Sequence, residues 1–168
     1  MKSWKFWAKI AVTVALWLPL SYASWSYWDL PTDPGPKYIN PALKPYYDSF
    51  KDIARDLSLA PGNEIQRIEV SGPLEQDNWV GVCRKIPIRT GLTFKYYYYI
   101  EIPKIYDNRP NAMMAIMFHE LAHCVYDLPH VDDPQDLMYF EIDWGITFNT
   151  LTQQIGDMFE LVKNNQRK

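Results

Sequence analysis

His119-Glu120-Leu121-Ala122-His123-Cys124-Val125-Tyr126-Asp127-Leu128-Pro129-His130 is the stretch that decides how this chain is read, and all three histidines of the protein fall inside it. Residues four apart on a helix stand one above the other on the same face. If this stretch is helical, His119 and His123 can bring their imidazoles to one ion, at about 2.0–2.1 Å if that ion is zinc. Glu120 sits about 100° further round the helix. From there it reaches a water at the ion without being a ligand itself.

The surrounding sequence supports the helix. Asn108-Arg109-Pro110-Asn111 breaks the chain, Asn111 is a candidate cap, and the helix is expected from Ala112 to Tyr126. Opposite His119 lie Met114, Met117, Leu121 and Val125, with Cys124 near the edge. That phase predicts an apolar back and a metal-binding front. Catalytic zinc usually takes three protein ligands plus water, so one more is needed beyond the helix. Pro129 stops the helix and lets His130 turn back as the third ligand. Asp127, four residues past His123, and Asp133 are the competing carboxylates.

The stretch resembles the zincin metallopeptidases and, within them, the metzincins, whose motif is His-Glu-x-x-His-x-x-Gly-x-x-His followed by a tight turn containing methionine. Asp136-Leu137-Met138-Tyr139 resembles that turn, and the strand ending Tyr99-Ile100-Glu101-Ile102 is similarly placed. The resemblance covers about residues 94–140. Tyr126 occupies the family's glycine position, and His130 falls one residue late. That later spacing, with Cys124, is similar to a group of small bacterial metzincin-like peptidases reading His-Glu-Leu-Gly-His-Cys, with Ala122 here in place of the glycine.

The resemblance implies a zinc-dependent metalloendopeptidase acting on a peptide or protein substrate. Its metal ligands would be His119, His123 and His130, its general base Glu120, and Met138 would lie beneath the metal. Tyr126 and Tyr139 are candidate hydrogen-bond donors to a tetrahedral oxyanion, or packing residues. Asp132, Asp133 and Asp136 are candidate partners of a ligating histidine, or a solvated acidic loop. Two other readings use the same residues: a non-catalytic zinc or peptide-binding module on the same scaffold, and a zinc amidase acting on cell-envelope peptides. An intact Glu120 favours the peptidase, because a binding module needs no base.

Further out, Tyr47, Phe50, Ile53, Ala54 and Leu57 recur at helical spacing over 46–59, with Pro61-Gly62 as the stop. Ile65–Val70 reads as a short strand. Trp79–Ile88 and Leu92–Ile102 read as longer ones joined by a turn at Arg89-Thr90-Gly91. A last helix is expected over Phe148–Val162. Helix, strands, helix, loop, helix predicts an α+β fold: a small mixed sheet packed on the active-site helix, with a C-terminal helix. An extended substrate is expected to pair with the edge of the strand carrying Tyr96, Tyr97, Tyr98 and Tyr99.

At the N-terminus, Lys2, Lys5 and Lys9 precede the apolar run Ile10–Leu20 and then Ser21-Tyr22-Ala23, the order of a secretory signal peptide over 1–23. The alternative is an uncleaved membrane anchor reaching Trp28, with Trp25, Tyr27 and Trp28 at the interface. Either way the body, 46–168, is expected outside the cytoplasm, periplasmic or secreted, behind a tether over 24–45 that carries Pro31, Pro34, Pro36, Pro41 and Pro45. In such a compartment Cys83 and Cys124 either pair or remain two buried thiols. The chain has net charge −3, and −6 without residues 1–23. An acidic body excludes nucleic acid as the expected partner, since phosphate binding needs a basic face.

Overall fold

The computed structural model describes residues 29–72 and 80–167. The expected signal or anchor segment, Trp25, Tyr27, Trp28 and Trp79 lie outside the described residues. The chain divides into two compact units. In the smaller, residues 29–34 lie with the hairpin span Pro87–Tyr96, and the Arg89 amide donates to the Pro31 carbonyl at 2.8 Å. The larger comprises Gly35–Ile86 and Tyr97–Lys168 and holds every residue of the candidate site.

The fold is mixed α+β, as expected. The order is β1 (Tyr38–Ile39), α1 (Lys44–Asp56), β2 (Ile65–Val70), β3 (Val82–Thr90), β4 (Thr93–Ile102), α2 (Pro110–Tyr126) and α3 (Phe148–Gln166). The four strands form one sheet in the order β1-β2-β4-β3. β1 runs parallel to β2, and β2 parallel to β4. β3 and β4 are joined by only two residues, Gly91 and Leu92, which a hairpin allows and a parallel crossover does not.

Several boundaries differ from the sequence reading. The turn falls at Gly91-Leu92 rather than Arg89-Thr90-Gly91. α1 begins two residues earlier than expected and stops at Asp56, because Ser58 is left-handed at φ 54° before Pro61-Gly62 is reached. The tether is also shorter. β1 and the fully buried Leu43 belong to the fold, and Pro45 lies in the first turn of α1, where its missing N–H costs nothing. The Tyr-rich β4 is not an edge. β2 and β3 flank it, so the outer strands are β1 and β3.

In β2 both Ile65 and Ile68 are buried, a spacing of three that a regular strand does not give. A register irregularity between Ile65 and Arg67 shifts the phase and turns both to the core. The helices meet through Phe50 of α1, Phe118 of α2 and Phe159 of α3. Phe50 lies 5.3 Å from Phe118 and 5.1 Å from Phe159, ring centre to ring centre. Ile65, Ile68, Ile100 and Ile102 bring the sheet into the same core.

Candidate metal centre

α2 is buried nearly all round, unlike the two-faced helix the sequence phase predicts. Met113, Ala115, Ile116, Met117, Phe118, Leu121, Ala122 and Cys124 are all buried, whereas Met114 and Val125 are only half-buried. Such a helix lies inside a fold rather than on it, so what it holds is held rigidly. It begins at Pro110 with Arg109 as N-cap. Asn111 is not the cap. Its side-chain amide donates to the Ile146 carbonyl at 3.2 Å.

Most of the carbonyls at the C-terminal end of α2 have hydrogen-bond partners. Asp127 is left-handed at φ 52°, its amide donates to the His123 carbonyl at 3.0 Å, and the Leu128 amide donates to Ala122 at 3.3 Å. Asn63 takes the next two carbonyls. Its amide donates to Val125 at 2.7 Å, and its Nδ2 to Cys124 at 3.1 Å. Its Nδ2 also donates to the Asp127 carboxylate at 2.9 Å. Gly62 permits this approach, because a Cβ there would stand 2.3 Å from the Val125 carbonyl oxygen.

The Nε2 atoms of the three histidines converge: His119 to His123 at 3.0 Å, and each of these to His130 at 3.1 Å. The opposite ring nitrogens of the helical pair are fixed by carbonyls. His119 Nδ1 lies 2.7 Å from the Leu137 oxygen, and His123 Nδ1 lies 2.5 Å from the Leu128 oxygen. A carbonyl only accepts, so both Nδ1 atoms carry the proton and both Nε2 atoms present a lone pair. Two lone pairs at 3.0 Å do not hydrogen-bond to each other, but a shared cation satisfies both. Imidazole nitrogens on one tetrahedral zinc stand about 3.3 Å apart, close to the spacing here. The three histidines could therefore hold a metal ion. Burial lowers the pKa of His119 to about 4 and lowers that of His123, keeping both neutral and ready to ligate.

The loop after α2 positions two of the three rings. Asp136 shapes a turn: its carboxylate accepts the Met138 amide at 2.7 Å, and its carbonyl accepts Tyr139 at 3.1 Å. That turn offers the Leu137 carbonyl to His119. The Met138 carbonyl accepts the Val131 amide at 3.1 Å, which fixes the chain just beyond the exposed His130.

Glu120 is buried beside β3. The Cys83 backbone hydrogen-bonds its carboxyl, and a Cβ on Gly81 would stand 2.8 Å from its Cγ and Oε1. Burial raises its pKa to about 8, against the lowering effect of the Cys83 bond. Cys83 and Cys124 form a disulfide that ties β3 to α2 one residue beyond His123.

The remaining candidates lie elsewhere. Asp127 caps α2, bonded to Asn63, with Lys85 Nζ at 3.7 Å from its carboxylate, and it stands outside the histidine cluster. Asp133 accepts the Gln135 amide at 2.9 Å and is exposed. Asp132 is exposed, and Asp136 serves its own turn rather than a histidine. The Tyr126 ring packs 6.0 Å from Phe50, and the Tyr139 ring 4.2 Å from Phe140, so packing is the role seen for both. Met138 is fully buried in the core. A cleft of about 360 Å³ lies at the C-terminal end of α2, between Gly62, Tyr126 and Gln166, and none of the three histidines lines it.

Sequence reasoning missed Leu128, Leu137, the backbone of Cys83 (named only as a possible disulfide partner), Asn63, Gly62 and Gly81 as parts of the site. The first three act through backbone atoms, which residue type does not signal. The glycines and Asn63 had a signal in kind, as residues that allow close approach or cap a helix, but not in partner. No family model matches the chain, and no curated protein or solved structure matches it either.

Proposed function

We propose that the protein is an exported zinc metallopeptidase of the zincin type, cleaving peptide bonds with His119, His123 and His130 as metal ligands and Glu120 as general base. The observation that carries this reading is the three-nitrogen cluster with Glu120 next in sequence to His119 and outside the cluster. A zinc ion held by His119, His123 and His130 would supply a Lewis acid able to polarise a carbonyl and acidify water. Glu120 takes the proton from the attacking water and returns it to the leaving amine. Its pKa of about 8 suits a carboxyl that must both accept and release a proton near neutral pH.

The substrate is an extended peptide. β3 is an outer strand, and Gly81 just before it and Cys83 at its start meet Glu120, so a peptide added alongside β3 brings its backbone to the base. The Cys83–Cys124 disulfide suits an oxidising compartment and supports the export reading.

The test is metal analysis of the purified protein, followed by digestion of casein and a peptide library with and without chelator. Zinc near one equivalent, chelator-sensitive cleavage, and a Glu120→Gln variant that keeps the zinc and loses about a hundredfold or more of the activity are expected. Cleavage by Glu120→Gln at the wild-type rate removes Glu120 from the mechanism. Zinc without cleavage of any peptide leaves a binding module.

A further inference from the structure

The tip of the β3–β4 hairpin has a surface that the proposed chemistry does not use. Gly91 takes the first turn position at φ +69°, which is the demand of a type II′ turn. The second position is Leu92, which at 89% is the most exposed large apolar side chain among the described residues. Phe94 and Tyr96 follow at the alternation that keeps side chains on one face of a strand. Their rings meet at 5.3 Å, and they are 48% and 47% exposed. Leu92, Phe94 and Tyr96 thus form an outward apolar stripe. A contiguous stripe of this kind marks a contact surface rather than the ordinary scatter of exposed apolar residues.

Two observations indicate what covers it. The first is charge. The span Pro87–Tyr96 carries Arg89 and Lys95 and no acidic residue, whereas the larger unit is net −6. The acids of the smaller unit, Asp29 and Asp33, lie on its N-terminal segment. The second is continuity. The Arg89 amide donates to the Pro31 carbonyl at 2.8 Å, which fastens the hairpin to the chain three residues beyond the uncharged stretch Ile10–Trp28, which opens with the apolar run Ile10–Leu20. A leucine at the tip, two aromatics behind it and the exposed Lys95 between those aromatics are the composition of a segment that dips into the interface of a bilayer.

We infer that the hairpin tip, through Leu92, Phe94 and Tyr96 with Lys95, docks on the surface of a membrane containing anionic lipid. This inference is independent of the reading of the histidine cluster. Both cysteines of the chain are in the disulfide, so a cysteine introduced into the full-length protein can be labelled alone. A polarity-sensitive nitrobenzoxadiazole label is placed at Leu92→Cys, and in a second protein at the exposed Asp157→Cys of α3. Each is mixed with phosphatidylglycerol–phosphatidylcholine vesicles and with pure phosphatidylcholine vesicles. A blue shift and rise in emission at position 92 with the anionic vesicles, none at 157, and a response about fivefold weaker when Lys95→Glu is added are expected. No change at 92 overturns the proposal. An equal change with neutral vesicles overturns the anionic-surface assignment. A change that follows protein concentration without vesicles shows instead that two hairpins pair with each other. Labelling Tyr96→Cys repeats the measurement on the strand, in case the turn variant folds poorly.

Discussion

Helix α2 and the loop from Asp127 to Thr147 build the same site in different ways. α2 contributes side chains: His119, Glu120 and His123 at fixed helical phase, in a helix buried on nearly every side. The loop contributes one side chain, His130, and two carbonyls, Leu128 and Leu137, that set the tautomers of the helical histidines. The helix fixes where the ligand rings are, and the loop fixes which nitrogen of each ring carries the lone pair. Neither region alone makes a three-nitrogen site.

The sharpest way to break that division is to remove a ligand from each side. His119→Ala or His123→Ala is expected to weaken zinc binding by well over a hundredfold, because even the outer partners of a ligand are worth about 10–100-fold. His130→Ala, whose ring stands exposed on the loop, is expected to lose less, about 10–100-fold. Competition titration against a chelator measures both. A loop histidine that proves more costly than either helical one reverses the comparison.

The disulfide joins β3 to the same helix, and its removal tests how much of the preorganisation is covalent. Cys83→Ser with Cys124→Ser is expected to lower stability by about 2–4 kcal/mol, read from the denaturation midpoint, with activity falling further than zinc affinity because Cys83 holds Glu120 rather than a ligand. Gly81→Ala is a finer probe. The new Cβ meets the Glu120 carboxyl, and the expected result is a loss of about 1–3 kcal/mol in stability and reduced turnover with zinc content intact. The smallest effect is expected at Asp127→Ala. It removes the carboxylate's contacts to Asn63 and Lys85, a cost of about 1 kcal/mol, and leaves zinc affinity within about twofold, since hydrogen bonding to Asn63 accounts for its carboxylate. A large loss of zinc in that variant would replace His130 with an aspartate ligand.

The contrast between helix and loop also explains what could be read from the sequence. The helix and its three chemical side chains were legible because periodicity and residue type both report on side chains. His130 followed from ligand number and the proline before it. The α+β class and both long strands were legible too, within a few residues at their ends. β1 was not, since Tyr38–Ile39 is two residues inside a proline-rich stretch and shows no alternation. The edge of the sheet was misassigned because strand order is a long-range property: four successive tyrosines say that β4 is a strand but not that β2 pairs beside it. The surround of Glu120 was hidden for the same reason, since Gly81, just before β3, and Cys83, within it, lie nearly forty residues before Glu120 in sequence and act through close approach and a backbone bond.

Asn63 carries a consequence in time rather than in space. It donates to the Cys124 carbonyl from 61 residues upstream, so the last turn of α2 is completed by a piece of chain made long before the helix itself. Local helical contacts form fast, whereas a closure of that span waits for the intervening strands to find their order. Until then α2 can wind and bring His119 and His123 one turn apart, but its final carbonyls lack their partners. The docking of Asn63 is thus expected late in assembly, so a finished end of α2, one residue beyond His123, marks a chain that has completed its fold rather than one that has merely made its helix.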